Sequence, residues 1–300
     1  TTVDKRFMAG LAYVEGVRQL GAGIIRNGPG SPQFQWDAIL KFNPTIIIGI
    51  PSFIPKLIAF AKENGINLAN TSIKKIICIG EPIRNADFTL NKLGQLIKRE
   101  WDVELFSSYA STEKATAYSE CKEHNGGHEH PELIYTEILD EEGNEVEEGD
   151  LGEVVITTFG VEAMPLVRYK TGDICRPYYE KCKCGRTSKR LGPIEGRNSQ
   201  MIKLKGTTVY AQSIFNVLEE FDMTLNYLVE LKASEMGTDE VRILLQESNT
   251  KVGLENELKS LFKSKLRVTP NFGFIDDKTF IALKFPKDSR KPVKFINLRS

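Results

Sequence analysis

Two short apolar runs constrain this chain more than anything else in it. Ile46-Ile47-Ile48-Gly49 and Lys75-Ile76-Ile77-Cys78-Ile79 are apolar at consecutive positions, not alternating ones. A strand written this way has to be covered on both faces, which is the condition of a parallel sheet flanked by helices. The segments between fit that demand. Residues 55–64 place Leu57, Ile58 and Ala61 on one helical face, and residues 86–101 do the same with Leu90, Leu93, Leu96 and Ile97. Residues 103–106 read as a third short strand. The resulting βαβαβ rhythm predicts an α/β fold with ligands outside the carboxyl ends of the strands. That rim would hold Pro51-Ser52, Gly80-Glu81-Pro82 and the segment from Ser108 to Glu113.

Beyond residue 130 the pattern changes. Residues 133–139 and 153–158 flank an acidic turn and predict antiparallel strands, an antiparallel β segment added to the parallel sheet. The last hundred residues read as a small α+β unit: strand 201–204, helix 211–220, strands 225–232 and 240–246, helix 252–265 and strand 279–285. The polar stretch Gly196-Arg197-Asn198-Ser199 reads as a hinge. At 300 residues with 41% apolar and 27% charged residues, the chain has ordinary globular composition and enough length for two domains. Forty basic residues balance forty acidic ones, which argues against nucleic-acid binding. No run approaches the roughly 20 apolar residues of a membrane span.

The five cysteines are too few and too uneven for a disulfide framework, and they fit a reducing cytoplasm. Cys78 and Cys175 read as buried structural residues. The other three stand apart. All three histidines (His124, His128, His130) follow Cys121 within nine residues, and Cys182-Lys183-Cys184-Gly185 lies far downstream. Three thiols and an imidazole match a closed tetrahedral Cys₃His zinc site, with the choice among the histidines open.

Four segments carry further chemistry: Tyr109-Ala110-Ser111-Thr112-Glu113, expected to follow a strand and open a helix; Arg168-Tyr169-Lys170-Thr171-Gly172-Asp173; Gly196-Arg197 with the residues after it; and Pro286-Lys287-Asp288-Ser289-Arg290-Lys291. In this order they resemble the adenylate-forming enzymes, and among these the phenylacetate–CoA ligases. Glu162-Ala163-Met164-Pro165, Glu120-Cys121 and Cys182-Lys183-Cys184-Gly185-Arg186-Thr187 add to the resemblance, which runs over essentially the whole chain. It implies ATP-dependent activation of an aryl or arylalkyl carboxylic acid as an acyl-adenylate, then transfer to coenzyme A. It implies residues 1–196 as part of the adenylating domain and residues 197–300 as a small α+β lid domain.

The resemblance assigns roles residue by residue. Tyr109 offers a flat face to adenine, with Gly80, Glu81, Pro82, Ala110 and Ser111 around the nucleotide. Thr112 donates to the α-phosphate and Glu113 ligates Mg²⁺, a cation that prefers oxygen. Asp173 accepts from the ribose hydroxyls, and Arg197 adds positive charge nearby. Lys291 stabilises the charge of the adenylation transition state, and Lys205-Gly206 serves the coenzyme A half-reaction. His128 completes the zinc set with Cys121, Cys182 and Cys184, because its Gly-x-His placement matches the family. The ion is structural and ties the expected helix after Tyr109 to the loop after Asp173.

The chain also departs from the family. Ser199 and Gln200 stand where two acidic residues are usual, and Arg290 stands in place of a glycine. The family's Ser/Thr/Gly-rich phosphate loop, expected ahead of Phe7, is not among these residues, and Gly28-Pro29-Gly30 reads as a turn. The expectation is therefore a chain whose amino-terminal part lies elsewhere and which alone adenylates poorly. Apolar surface near Phe7, Leu11 and Val14 is expected to be exposed and to promote self-association into a homodimer. Two other readings stay open: an adenylating enzyme with an acceptor other than coenzyme A, and a zinc-stabilised nucleotide-binding fragment without catalysis.

Overall fold

A computed structural model describes residues 8–28, 30–204, 207–222, 224–233, 239–249, 251, 253–286 and 292–299. The chain divides into two compact units, Thr1–Ile194 and Glu195–Ser300.

In the first unit, strands β1 (Ile46–Gly49), β2 (Lys75–Ile79) and β3 (Glu104–Ala110) pair in parallel. Helices α1 (Met8–Gln19), α2 (Pro32–Phe42), α3 (Ile54–Glu63) and α4 (Lys92–Glu100) complete this part. The parallel strands continue into an antiparallel arm of β4 (Ala117–Glu120), β5 (Gly127–His128), β9 (Pro177–Tyr178) and β10 (Arg190–Leu191), in the order β4-β5-β10-β9. A second antiparallel sheet contains β6 (Ile134–Leu139), β7 (Gly152–Thr158) and β8 (Tyr169–Cys175). Ile54, Leu57, Ala61, Ile76, Cys78 and Ile97 are buried together, as the doubly apolar strands require. Trp36 and Trp101 stack at 5.5 Å in that core. Each indole nitrogen donates to a buried partner, Leu57 O at 2.9 Å and Thr71 Oγ1 at 3.2 Å.

The second unit begins with β11 (Gly196–Arg197) and the hairpin β12 (Met201–Leu204) and β13 (Thr207–Tyr210). Its four-stranded sheet has the order β16-β15-β14-β17, from β14 (Tyr227–Ala233), β15 (Asp239–Gln246), β16 (Asn271–Ile275) and β17 (Phe295–Asn297). Helices α5 (Ala211–Phe221), α6 (Leu254–Leu266) and α7 (Asp277–Lys284) accompany it. Ile214, Leu218, Val229, Leu231, Ile243, Leu258 and Phe262 form its core.

Several expectations need correction. The helix expected over 86–101 begins only at Lys92, because Asp87 and Thr89 close a local turn with Phe88 at φ +65°. Asn91 then caps the helix by accepting from Gly94 N at 2.9 Å. Residues 279–284 belong to helix α7, not to a strand, and Phe285 ends it: Asp276 caps the helix by accepting from Thr279 N at 2.9 Å, and Phe280 is buried. The third strand runs on to Ala110, so the Tyr109 segment ends a strand and turns back into β4 without opening a helix. Val14 is 7% exposed and belongs to the interior, whereas Leu11 at 61% is exposed. Phe7, Lys205, Gly206 and Lys291 lie outside the described residues.

Candidate nucleotide site and metal centre

The parallel register fixes the rim. Gly49 pairs with Cys78 and Ile79 with Ser108, so the segments after β1, β2 and β3 leave the sheet at one edge. The loops are fastened there by Glu81, whose two carboxylate oxygens accept from Ser52 N and Ser52 Oγ, each at 2.9 Å. Gly80 reaches this turn at φ +78°, a left-handed conformation that a side chain would strain.

At the end of β3, the Tyr109 hydroxyl donates to Asp173 Oδ2 at 2.6 Å, joining β3 to β8 across 64 residues of sequence. The Tyr109 ring also stacks on Tyr118 of β4 at 5.6 Å, and Tyr118 OH lies 2.6 Å from Thr136 Oγ1. Burial, and then the neighbouring Asp173 charge, push the Tyr109 phenol far above its ordinary value. Asp173 is 6% exposed, and its own amide donates to Thr171 Oγ1 at 3.1 Å. Thr112 and Glu113 are exposed in the turn, where Ala115 takes φ +53° and donates its N–H to Thr112 O at 3.2 Å. Arg197 is exposed in the second unit.

Two residues at this rim escape a reading of the sequence. Lys114 is 1% exposed. Its Nζ donates to Ser111 Oγ at 3.0 Å, lies 4.0 Å from the centre of the Tyr109 ring and 3.9 Å from Asp173 Oδ2. Arg84 forms a buried ion pair with Glu120, Nε donating to Oε1 at 2.6 Å. Its other nitrogens donate to Phe88 O and Leu105 O, both at 3.1 Å, while Glu120 Oε2 accepts from Ser107 N at 2.9 Å. This pair holds the loop after β2 against β3 and β4.

Cys121 follows β4, His128 lies in β5, and Cys182 and Cys184 lie between β9 and β10. Because β4 pairs with β5 and β5 with β10, these segments converge at the end of the antiparallel arm. The helix that was to carry Cys121 is thus replaced by β4. The four ligand atoms lie within 4.8 Å of one another. Cys121 Sγ is 3.7 Å from Cys182 Sγ, and Cys184 Sγ is 3.5 Å from His128 Nε2. A tetrahedral zinc with bonds of about 2.3 Å to sulfur and about 2.0 Å to nitrogen has edges of about 3.8 Å and about 3.5 Å. The donor set and these two edges therefore fit a zinc ion. The backbone N–H of Arg186 lowers the Cys184 thiol to about 7, burial raises Cys121 to about 11, and burial also lowers the His128 imidazole, favouring its neutral form. The other two histidines face carboxylates: His124 lies 3.4 Å from Glu104 and 3.5 Å from Glu120, and His130 lies 3.4 Å from Glu132.

No protein-family model matches the chain. Curated relatives do. The phenylacetate–coenzyme A ligase of Thermus thermophilus is 31% identical over 216 residues, which are 71% of this chain and 47% of that enzyme. The Escherichia coli enzyme of the same name is 24% identical over 306 aligned residues, 98% of this chain and 67% of its own length. The chain is a phenylacetate–CoA ligase-like member of the adenylate-forming superfamily. It spans about half the length of the Thermus relative. The superfamily fold is also that of a 2-hydroxyisobutyryl-CoA ligase crystallised in its postadenylation state with an acyl-AMP. That structure superposes with a TM-score of 0.75 at 21% identity, over 99% of this chain and 64% of the other.

Proposed function

We propose that this ligase-like chain contributes the adenine, ribose and α-phosphate side of a site that activates a carboxylic acid with ATP and passes the acyl group to coenzyme A. The observation that carries this reading is the meeting of Tyr109 and Asp173, two residues from separate segments of the resemblance, at the carboxyl end of a parallel strand. Tyr109 supplies an aromatic surface, Asp173 accepts from the ribose hydroxyls, and Thr112 donates to the α-phosphate from an exposed turn. Gly80, Glu81, Pro82, Ala110 and Ser111 border the base, and Arg197 adds charge near the sugar.

Glu113 is the residue we assign to Mg²⁺, which when bound neutralises phosphate charge. Cys121, His128, Cys182 and Cys184 hold zinc as a structural ion, since four protein ligands leave no position for a reacting water. Residues 197–300 act as a mobile lid, with Lys291 serving adenylation and Lys205-Gly206 the thioester step. The acid is aryl or arylalkyl, in line with the names of the curated relatives.

Exchange of labelled pyrophosphate into ATP, screened across aryl, arylalkyl and short aliphatic acids in an enzyme containing these residues, tests the reading. Exchange stimulated by phenylacetate-like acids, with coenzyme A-dependent AMP release, is the expected result. Exchange with no acid, or an acyl-adenylate that coenzyme A does not discharge, would overturn it. Within these 300 residues there is no Ser/Thr/Gly-rich phosphate loop, so by themselves they are expected to bind AMP and to show little exchange.

A further inference from the structure

Lys114 is a charged side chain with almost no access to water. Burying an ammonium group is unfavourable unless specific partners compensate it, so its place in the fold calls for a reason. Three of its partners belong to one small constellation. Ser111 Oγ accepts from Nζ at 3.0 Å, the Tyr109 ring lies beneath Nζ at 4.0 Å, and Asp173 Oδ2 is 3.9 Å away. Tyr109 completes the arrangement by donating its hydroxyl to the same Oδ2 at 2.6 Å. One oxygen of Asp173 is thereby held between a hydroxyl and an ammonium, in surroundings that leave the residue 6% exposed.

We propose that Lys114 is a positioning residue for Asp173, holding the carboxylate at a fixed angle so that it can accept from the vicinal hydroxyls of a ribose. The inference rests on the reading of Asp173 as a ribose contact. The ammonium beside Oδ2 and the hydroxyl bonded to it hold that oxygen from two groups at once, which fixes the plane of the carboxylate. Tyr109 keeps its own hydrogen bond to Oδ2 and its stacking on Tyr118, so its ring stays in place when the ammonium is removed. Cys175, two residues along β8, is a further titratable group acting on Tyr109, and Glu153 on the facing strand accepts from Gly172 N at 3.1 Å. Neither supplies the positive charge that Lys114 does.

The test compares AMP with 2′,3′-dideoxy-AMP by calorimetry on the full 300-residue chain, as wild type, Lys114→Met, Lys114→Arg and Asp173→Asn. Wild type is expected to prefer AMP by about tenfold or more, the scale of hydrogen bonds to a charged group. Lys114→Met should lose most of that preference while binding the dideoxy nucleotide as wild type does. Lys114→Arg should restore part of it. A residue that merely supports the fold would weaken both nucleotides together, and that result overturns the proposal. So does a Lys114→Met protein that keeps the full preference while Asp173→Asn loses it. If wild type and Asp173→Asn both bind the two nucleotides alike, the ribose reading itself fails, and the proposal with it. Should Lys114→Met not fold, as judged by circular dichroism, Lys114→Gln and Ser111→Ala take its place. Ser111→Ala removes the acceptor that fixes Nζ and should lower the AMP preference without abolishing it, and an unchanged preference in both replacements counts against the proposal.

Discussion

Replacing Arg84 with Met should destabilise the first unit more than almost any other single change to its charged residues. The Arg84 and Glu120 side chains are 8% and 3% exposed, so the substitution strands a carboxylate in the interior. It also removes the donors to Phe88 O and Leu105 O. Breaking a buried pair from one side costs about 3–5 kcal/mol. Both tryptophans, Trp36 and Trp101, lie in the core of the same unit, so their fluorescence reports its unfolding directly. With a urea m-value of about 3 kcal/mol/M, the midpoint should fall by about 1–1.7 M. Arg84→Met combined with Glu120→Leu should recover a large part of the loss, because the second change removes the stranded charge. Ser107 N would still lack its acceptor, so recovery should stop short of wild type. A midpoint that moves by only a few tenths molar in the single variant, or a double variant as unstable as the sum of the two singles, would refute the reasoning.

Elemental analysis of protein purified without chelators should find about one zinc per chain, and Cys182→Ser should abolish it; metal-free wild type of undiminished thermal stability would count against a structural ion. Tyr109→Phe removes the 2.6 Å donor to Asp173 and should cost about 1–3 kcal/mol in urea titrations. The same variant should flatten part of the alkaline loss of stability. A phenol raised above its ordinary value of 10.0 contributes stability that is fully present below pH 10 and is lost as pH rises beyond it, so titrations at pH 9 and pH 11 should differ less in the variant than in wild type. Gly127→Ala would place a Cβ 2.8 Å from the carbonyl oxygen of Tyr118, where backbone cannot easily give way, and should lower stability by about 1–3 kcal/mol; an unchanged melting curve would show that β4 and β5 can separate.

The parallel strands were legible because consecutive isoleucines leave few alternatives, and the Cys/His cluster because every histidine falls beside one cysteine. The choice of His128 needed more. Its place in β5, paired with both β4 and β10, is what aims it at Cys184, and that pairing is not written in the local sequence. Helix α7 was misread because Phe280-Ile281-Ala282-Leu283 fits either period when taken alone; the cap from Asp276 to Thr279 decides it. Lys114 and Arg84 could not have been found by pattern. A lysine after a glutamate in a polar turn reads as solvated, and nothing local in the sequence marks its approach to Asp173, 59 positions away on β8.

The short strand β4 ties these features together. Tyr118 and Glu120, two residues apart on one face, are directed to different tasks: Tyr118 stacks on Tyr109 at the rim, and Glu120 anchors Arg84 from the loop after β2. The next residue, Cys121, enters the Cys/His cluster. Movement of any one is therefore felt by the other two through a strand only four residues long. Apolar isosteres of a buried ion pair are often equally stable, so stability alone does not account for Arg84 and Glu120. What the charges add is direction: bonds from one guanidinium to Glu120, Phe88 O and Leu105 O admit a single placement of the loop that carries Gly80, Glu81 and Pro82. By this argument a double apolar replacement should preserve much of the fold and still lose nucleotide affinity, because the loop would be covered but no longer aimed.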